Sequence, residues 1–226
     1  MKKPNYLPLV AFCMLFVTFS YAQHKRYTIK NGFALGGGLT QYDIISDNLN
    51  TNAGSGWLIN ASTTADIPHK WYNISFGMQL SENTIEIDGW LSDDGVAFTE
   101  EQLEYKLFAA QLSMLLHAKV IRNLLTIDFG PMLQYNGKLE LQDDNPDNLF
   151  LRVSEDIFAA QELEDISQFN VNGAIGATLG FQFIKFRAQY IYGFTNILNK
   201  LNDKNLTREN FKGNQNMLTF AALITF

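Results

Sequence analysis

From Asn31 onward, apolar and polar side chains alternate with a period of two in eight segments. The sharpest is Tyr72 to Ser81. Tyr72, Ile74, Phe76, Met78 and Leu80 fall on one face, and Asn73, Ser75, Gly77, Gln79 and Ser81 on the other. Successive side chains of a strand point to opposite faces, whereas a helix repeats every 3.6 residues, so this is strand patterning. The same alternation runs through Asn31–Ile44, Gly56–Ile67, Leu124–Leu141, Phe169–Phe183, Phe186–Thr195 and Asn216–Phe226. Lys106–Val120 is ambiguous. Its Ala, Leu and Met content suits an amphipathic helix, but as a strand it sorts Phe108, Leu112 and Met114 against Gln111, Ser113, His117 and Lys119, in line with its neighbours.

The connections alternate too. "PHK", "IRN" and "IK" are tight, whereas "ISDNLNTNAGSG", "DGWLSDDGVAFTEEQLEY", "QDDNPDNLFLRVSEDIFAAQELED" and "NKLNDKNLTRENF" are long and polar. Short turns at one end and long loops at the other predict an all-β fold: an eight-stranded antiparallel up-and-down transmembrane β-barrel with periplasmic turns and extracellular loops. A secreted lipocalin-like barrel is the rival. Its outer face would meet water and carry many Lys and Glu, yet the second face here is mostly Asn, Gln, Ser, Thr and Gly, with isolated charges at Asp66, His117, Lys119, Asp128, Lys138 and Arg187. Such residues suit a confined polar lumen, and the aromatic face then meets lipid. Eight strands leave an interior that side chains fill, so Gly36, Gly38, Gly77, Gly130, Gly176, Gly180 and Gly193 relieve crowding there or mark kinks.

The first residues refine this picture. "MKK" followed by an apolar run and "SYA" reads as a signal peptide over residues 1–22, then a periplasmic segment over 23–30 and the barrel domain over 31–226. The single Cys13 lies inside the apolar run, so no disulfide or cysteine metal site is expected after processing. A net charge of −6 and a pI near 5.0 speak against a nucleic-acid partner.

The signal sequence, the "NGFALGGGLTQYDI" start, the alternating turns and loops and the final Phe226 resemble the PorT-like outer-membrane β-barrel family of Bacteroidota, over the whole chain after the signal peptide. The resemblance implies an eight-stranded barrel and, in some members, a role in type 9 protein secretion. It carries no functional residues to this chain.

No catalytic constellation emerges. His24 precedes the barrel, His69 sits in a periplasmic turn and His117 lies near the periplasmic end of its strand, all away from outer-leaflet chemistry. An enzyme is not expected, and no cofactor or metal site is read. "DDNPDN" offers oxygen ligands but lacks the spacing of a calcium loop and reads as a solvated turn. Asp66, Lys119, Asp128 and Arg187 are read as a lumen charge network, a salt-bridge plug with a proton relay or gate as the alternative, because buried charges must pair. Asp128 and Arg187 belong to non-adjacent strands and would meet across the lumen. "SEDIFAAQELEDI" is expected to form a short amphipathic helix capped by Ser154. It would expose Ile157, Phe158 and Leu163 as an extracellular interaction surface, or fold back on the rim. "TEEQLEY" has capping-box spacing from Thr99 to Gln102. Phe220, Ile224 and Phe226 are read as the C-terminal insertion signal.

The expected function is a structural or accessory subunit of a larger outer-membrane machine, of a type 9 secretion or barrel-assembly kind. The alternative is a small stand-alone barrel for transport or ligand binding. Expected partners are outer-membrane lipid, the barrel-assembly machinery during insertion, and other outer-membrane proteins or surface lipoproteins.

Overall fold

The structure is a computed structural model that describes residues 30–92, 97–122, 124–143, 145–181, 183–204 and 206–226, with Lys30 by its backbone alone. The expected signal peptide and nearly all of the 23–30 segment, with His24, lie outside the described residues. Ten strands follow in chain order: β1 (Lys30–Ser46), β2 (Thr51–Asp66), β3 (Tyr72–Leu91), β4 (Thr99–Ile121), β5 (Leu125–Leu141), β6 (Leu149–Val153), β7 (Asp156–Ala159), β8 (Phe169–Phe181), β9 (Ile184–Gly193) and β10 (Gly213–Thr225). Each of β1, β2, β3, β4, β5, β8, β9 and β10 pairs antiparallel with the next, and β10 pairs with β1 from Ala34↔Thr225 to Ser46↔Gly213, closing an eight-stranded ring. The ambiguous segment is strand throughout. Its inward row of Gln111, Ser113 and His117 would have no lumen to face on a helix.

The faces match the alternation. Phe76, Met78, Leu112, Met114, Phe129, Leu133, Phe186 and Tyr190 are exposed, while Ser75, Gln79, Gln111, Asp128, Gln134 and Gln189 are buried inside. Higher on the strands both faces reverse polarity. On β3 the outward row passes from Phe76 and Met78 to Glu82, Glu86 and Asp88, and the inward row from Gln79 and Asn83 to Ile85 and Ile87. On β4 the outward row is apolar from Phe108 to Ala118, about 11 residues, the length a tilted strand needs to cross a bilayer. Above it come Lys106 and Glu104, with Tyr105 and Leu103 fully buried inside. The barrel therefore continues past the membrane, lined there by an apolar core and wetted outside.

Two expectations about the loops are corrected by this extension. Most of "ISDNLNTNAGSG" and "DGWLSDDGVAFTEEQLEY" is strand, because β1 runs to Ser46, β2 begins at Thr51, β3 reaches Leu91 and β4 begins at Thr99. "TEEQLEY" is thus a strand start and not a helix cap. A third correction concerns β5. The β4–β5 register shifts between Leu107/Ala109, opposite Leu139/Asn136. This bulge exchanges faces, so Leu139 is buried and Lys138 exposed, the reverse of strict alternation.

The loop from β5 to β8 caps the barrel. "SEDIFAAQELEDI" is not a helix capped by Ser154: Ser154 has φ 55°, β7 pairs with β6 as a hairpin, and Ala160–Glu164 is a 3₁₀ turn. The tip of β3, beyond its last partner on β2, takes β6 instead through Trp90↔Phe150 and Leu91↔Leu149. Phe158 and Leu163, expected on an exposed surface, are 8% and 0% exposed, whereas Ile157 stays at 49%. The reason is supplied by the extended barrel, whose apolar inner wall must be covered. Phe158 meets Phe211 of the β9–β10 loop edge to face, centroids 5.7 Å apart, and the Tyr105 hydroxyl donates to the Ala160 carbonyl at 2.9 Å. "DDNPDN" contributes a 3₁₀ turn at Pro146–Asn148; its Asp144 lies outside the described residues.

The ring closes at a glycine-lined seam. A Cβ on Gly38 would stand 2.0 Å from the Phe220 carbonyl oxygen, and one on Gly36 equally close to that of Ala222. Both obstacles are backbone, so they cannot turn aside, and overpacking of this kind costs about 1–3 kcal/mol or more. Gly38→Ala is expected to lower the folded fraction on refolding, read as the mobility difference between heated and unheated samples on a gel; an unchanged fraction would show that the seam has room.

The two capping loops are joined by charge: Lys200 donates to Asp165, and Lys204 reaches Glu162 at 2.9 Å. The hydrogen bond from Lys200 holds the Asp165 carboxyl below its ordinary pKa. A depressed carboxyl contributes stability above its unfolded pKa of about 3.9 and loses it as pH falls through the lower folded value. Amide exchange in Ala160–Glu164, corrected for intrinsic rates, should hold steady from neutral pH to about 5 and rise below about 4, and Asp165→Asn should raise it at neutral pH.

Candidate functional site

The lumen is built in layers, from the periplasmic end upward. At the mouth lies a vestibule of about 590 Å³, lined by Thr64 and Asp66 of β2, Asn73 of β3, His117 and Lys119 of β4, Thr126 of β5, Thr178 of β8, Lys185 and Arg187 of β9, and Asn31, Gly32 and Phe226 at the closing seam. Lys119 Nζ lies 2.9 Å from Asp66 Oδ1 and also donates to the Ile67 carbonyl at 3.2 Å. These two residues reach each other across the intervening strand β3.

The next layer centres on Asp128, whose carboxylate is fully buried. His117 Nδ1 stands 2.6 Å from Oδ1, which also accepts from the Thr126 hydroxyl at 2.6 Å. Oδ2 accepts from Thr178, and Arg187 Nε lies 3.8 Å from it and 3.2 Å from the Thr178 hydroxyl. A carboxylate with this many donors is compensated for its loss of water. The far side of His117 meets Ser75, with Nε2 to Oγ at 2.7 Å. In the neutral tautomer that donates from Nδ1 to Asp128, Nε2 accepts the Ser75 proton.

Above this stand the amides. Gln134 and Gln215 exchange hydrogen bonds at 2.7 Å across the lumen, from β5 to β10. Gln79 donates to Gln111 at 2.9 Å, Gln111 to Gln134, Asn172 to Gln134 at 2.7 Å and Gln134 to Asn136 at 2.5 Å. The apolar cap begins directly above.

The four charges read from sequence thus divide into two pairs at one end of the lumen, Asp66 with Lys119 and Asp128 with Arg187. Phe220, Ile224 and Phe226 point outward, with Phe226 close to Phe33 at 6.4 Å between ring centroids. Sequence reading missed Ser75, Thr126, Thr178 and Lys185. A signal existed for the first. The tight β4–β5 turn sets His117 opposite Asp128, and the β3–β4 register sets Asn73 opposite His117, with Ser75 one inward position along β3. Lys185 was assigned to a turn, yet it shares the inward parity of Arg187 on β9.

The serine–histidine–aspartate order is the one that makes a serine nucleophilic in hydrolases. A nucleophile must also be reached by a carbonyl carbon, and Ser75 is 1% exposed. The layer neutralises one buried carboxylate with donors from three strands, β4, β5 and β8, while Arg187 approaches from a fourth, β9.

No protein-family model matches the chain, and no curated protein matches it. Among solved structures it is similar to Neisserial surface protein A, with 10% identity over 86% of this chain and 97% of that one and a TM-score of 0.46. It is similar also to the outer membrane protein OprG from Pseudomonas aeruginosa, with 9% identity over 88% and 98% and a TM-score of 0.48. A third is Ail, the attachment invasion locus protein of Yersinia pestis, solved with the heparin analogue sucrose octasulfate, with 9% identity over 87% and 99% and a TM-score of 0.44. On this chain's own geometry, a closed antiparallel ring with an apolar belt outside, polar groups within and short turns at one end is an integral β-barrel of a bacterial outer membrane.

Removing one member of a buried charge cluster strands the others. Asp128→Ala leaves Arg187 and His117 without their acceptor and is expected to cost about 3–5 kcal/mol. Arg187→Ala costs less, because Asp128 keeps His117, Thr126 and Thr178. Urea unfolding in micelles followed by tryptophan fluorescence orders the two variants; an unchanged midpoint in Arg187→Ala would discard the Asp128–Arg187 pairing as a stabilising contact.

Proposed function

We propose that this barrel serves as a non-enzymatic structural or accessory subunit of a larger outer-membrane protein machine. The observation that carries the reading is the filled lumen. The Gln134–Gln215 pair bridges the interior at 2.7 Å, and above it the cap packs Phe158, Leu163 and Phe211 into the mouth, each under a tenth exposed. A barrel blocked in this way has its outer surfaces left to work with: the lipid-facing wall, the acidic capping loops and the periplasmic rim. The buried Ser75 hydroxyl supports the non-enzymatic part of the reading. The sequence resemblance to PorT-like barrels of Bacteroidota supports type 9 secretion as the assembly, and barrel assembly is the neighbouring choice.

Extraction of the native protein in a mild detergent, followed by mass spectrometry of what it retains, should yield a defined complex with other outer-membrane proteins or surface lipoproteins. Recovery of the isolated barrel alone, together with ion conductance in planar bilayers, would overturn the subunit reading in favour of a small transport barrel. Covalent labelling of Ser75 by a fluorophosphonate would separately overturn the non-enzymatic reading.

A further inference from the structure

The vestibule at the periplasmic mouth holds more positive than negative charge. Among the lining side chains, Lys119, Lys185 and Arg187 face one carboxylate, that of Asp66. Asp66 is taken by Lys119 at 2.9 Å, and Asp128, one layer further in, is held by His117, Thr126 and Thr178 and paired with Arg187 Nε at 3.8 Å, which leaves Lys185 as the lining cation with no carboxylate of its own. The backbone oxygen of Phe226 accepts from the Phe33 amide at 3.3 Å. Lys185 is half-buried, and its side chain has no hydrogen-bond or ion-pair partner among the described residues. Arg187 is 8% exposed. Its Nε faces Thr178 and Asp128, while its two terminal nitrogens make no hydrogen bond to a described residue.

Cations held against a low-dielectric wall are stabilised by an opposite charge that enters with them. A guanidinium whose terminal N–H groups remain free presents the planar fork that matches two oxygens of one oxyanion. An ammonium two residues away on the same face of β9 supplies a point charge beside it, and the Asn73 amide and Thr64 hydroxyl line the vestibule from the facing strands β3 and β2. We infer that the periplasmic vestibule is a binding site for a phosphate-type oxyanion, held by Lys185 and Arg187. The oxyanion comes either from a periplasmic solute or from an anionic lipid headgroup at the inner leaflet, since the site opens at the membrane's periplasmic face. This inference does not depend on the subunit reading, and its failure would leave that reading standing.

The test uses the full chain folded in a maltoside detergent, which carries no phosphate. Inorganic phosphate is titrated while the side-chain ¹⁵N signals of Arg187 and the amides around Lys185 are followed by NMR. Saturable shifts are expected, with affinity at least about tenfold weaker in Lys185→Gln, a loss of about 1.4 kcal/mol, and unchanged in Lys212→Gln at the far end of the barrel. Arg187→Lys keeps the charge but removes the fork, and should weaken binding while the fold stays intact. For the lipid source, native mass spectrometry from nanodiscs containing phosphatidylglycerol and phosphatidylcholine should show an anionic lipid retained by the wild type and lost in Lys185→Gln. Saturation with phosphate alone assigns a solute, and retention of lipid alone assigns a headgroup. Absence of both, or equal behaviour of wild type and Lys185→Gln with both probes, overturns the site.

Discussion

Hydrocarbon offers no partner to a peptide group, and that constraint organises the whole molecule. Every strand crossing the membrane must pair on both sides, so the chain has to end where it began, with β10 against β1 through thirteen consecutive residue pairs. Closure in turn narrows the interior and brings the inward side chains within hydrogen-bond reach of one another. Gln134 can then find Gln215, and Lys119 can find Asp66 across a strand. Ring closure and lumen chemistry are therefore one problem: a wider ring would need water where this one uses amides.

Much of the fold was legible in the sequence, because lipid and lumen impose opposite demands on alternate residues. The run from Tyr72 to Ser81 declares its two faces without ambiguity. Legibility failed where the demands changed. Beyond Glu82 on β3 the alternation persists with inverted polarity, so Ile85 and Ile87 face inward and "DGWLSDDG" begins inside a strand that looked finished. At the β5 bulge, one extra residue sends Leu139 in and Lys138 out, and no periodic reading anticipates it.

The candidate site shows the same division. Charges at inward parity were visible one by one, but their partners depend on register between strands. His117 looked isolated because its neighbours in sequence are Leu116 and Ala118, while in space it stands between Asp128 and Ser75. Phe158 and Leu163 failed in the opposite way. Judged as loop residues they looked exposed, and only the height of β3 and β4 reveals the apolar wall they cover.

The inversion of polarity along β3 and β4 bears on position as well as packing. An apolar belt alone would let a barrel drift up or down the membrane normal, since tilt and local thinning absorb small mismatches at modest cost. Here, sinking by a few residues would draw Glu82, Glu104 and Lys106 into the hydrocarbon, where the cost of a lysine climbs from at most about 1 kcal/mol near the interface to about 2–4 kcal/mol at the midplane, with less for a carboxylate. Rising would lift the belt from Phe108 to Ala118 into water. The depth of the barrel is thus set from both directions, and whatever stands beside it in the same leaflet meets a wall of fixed height.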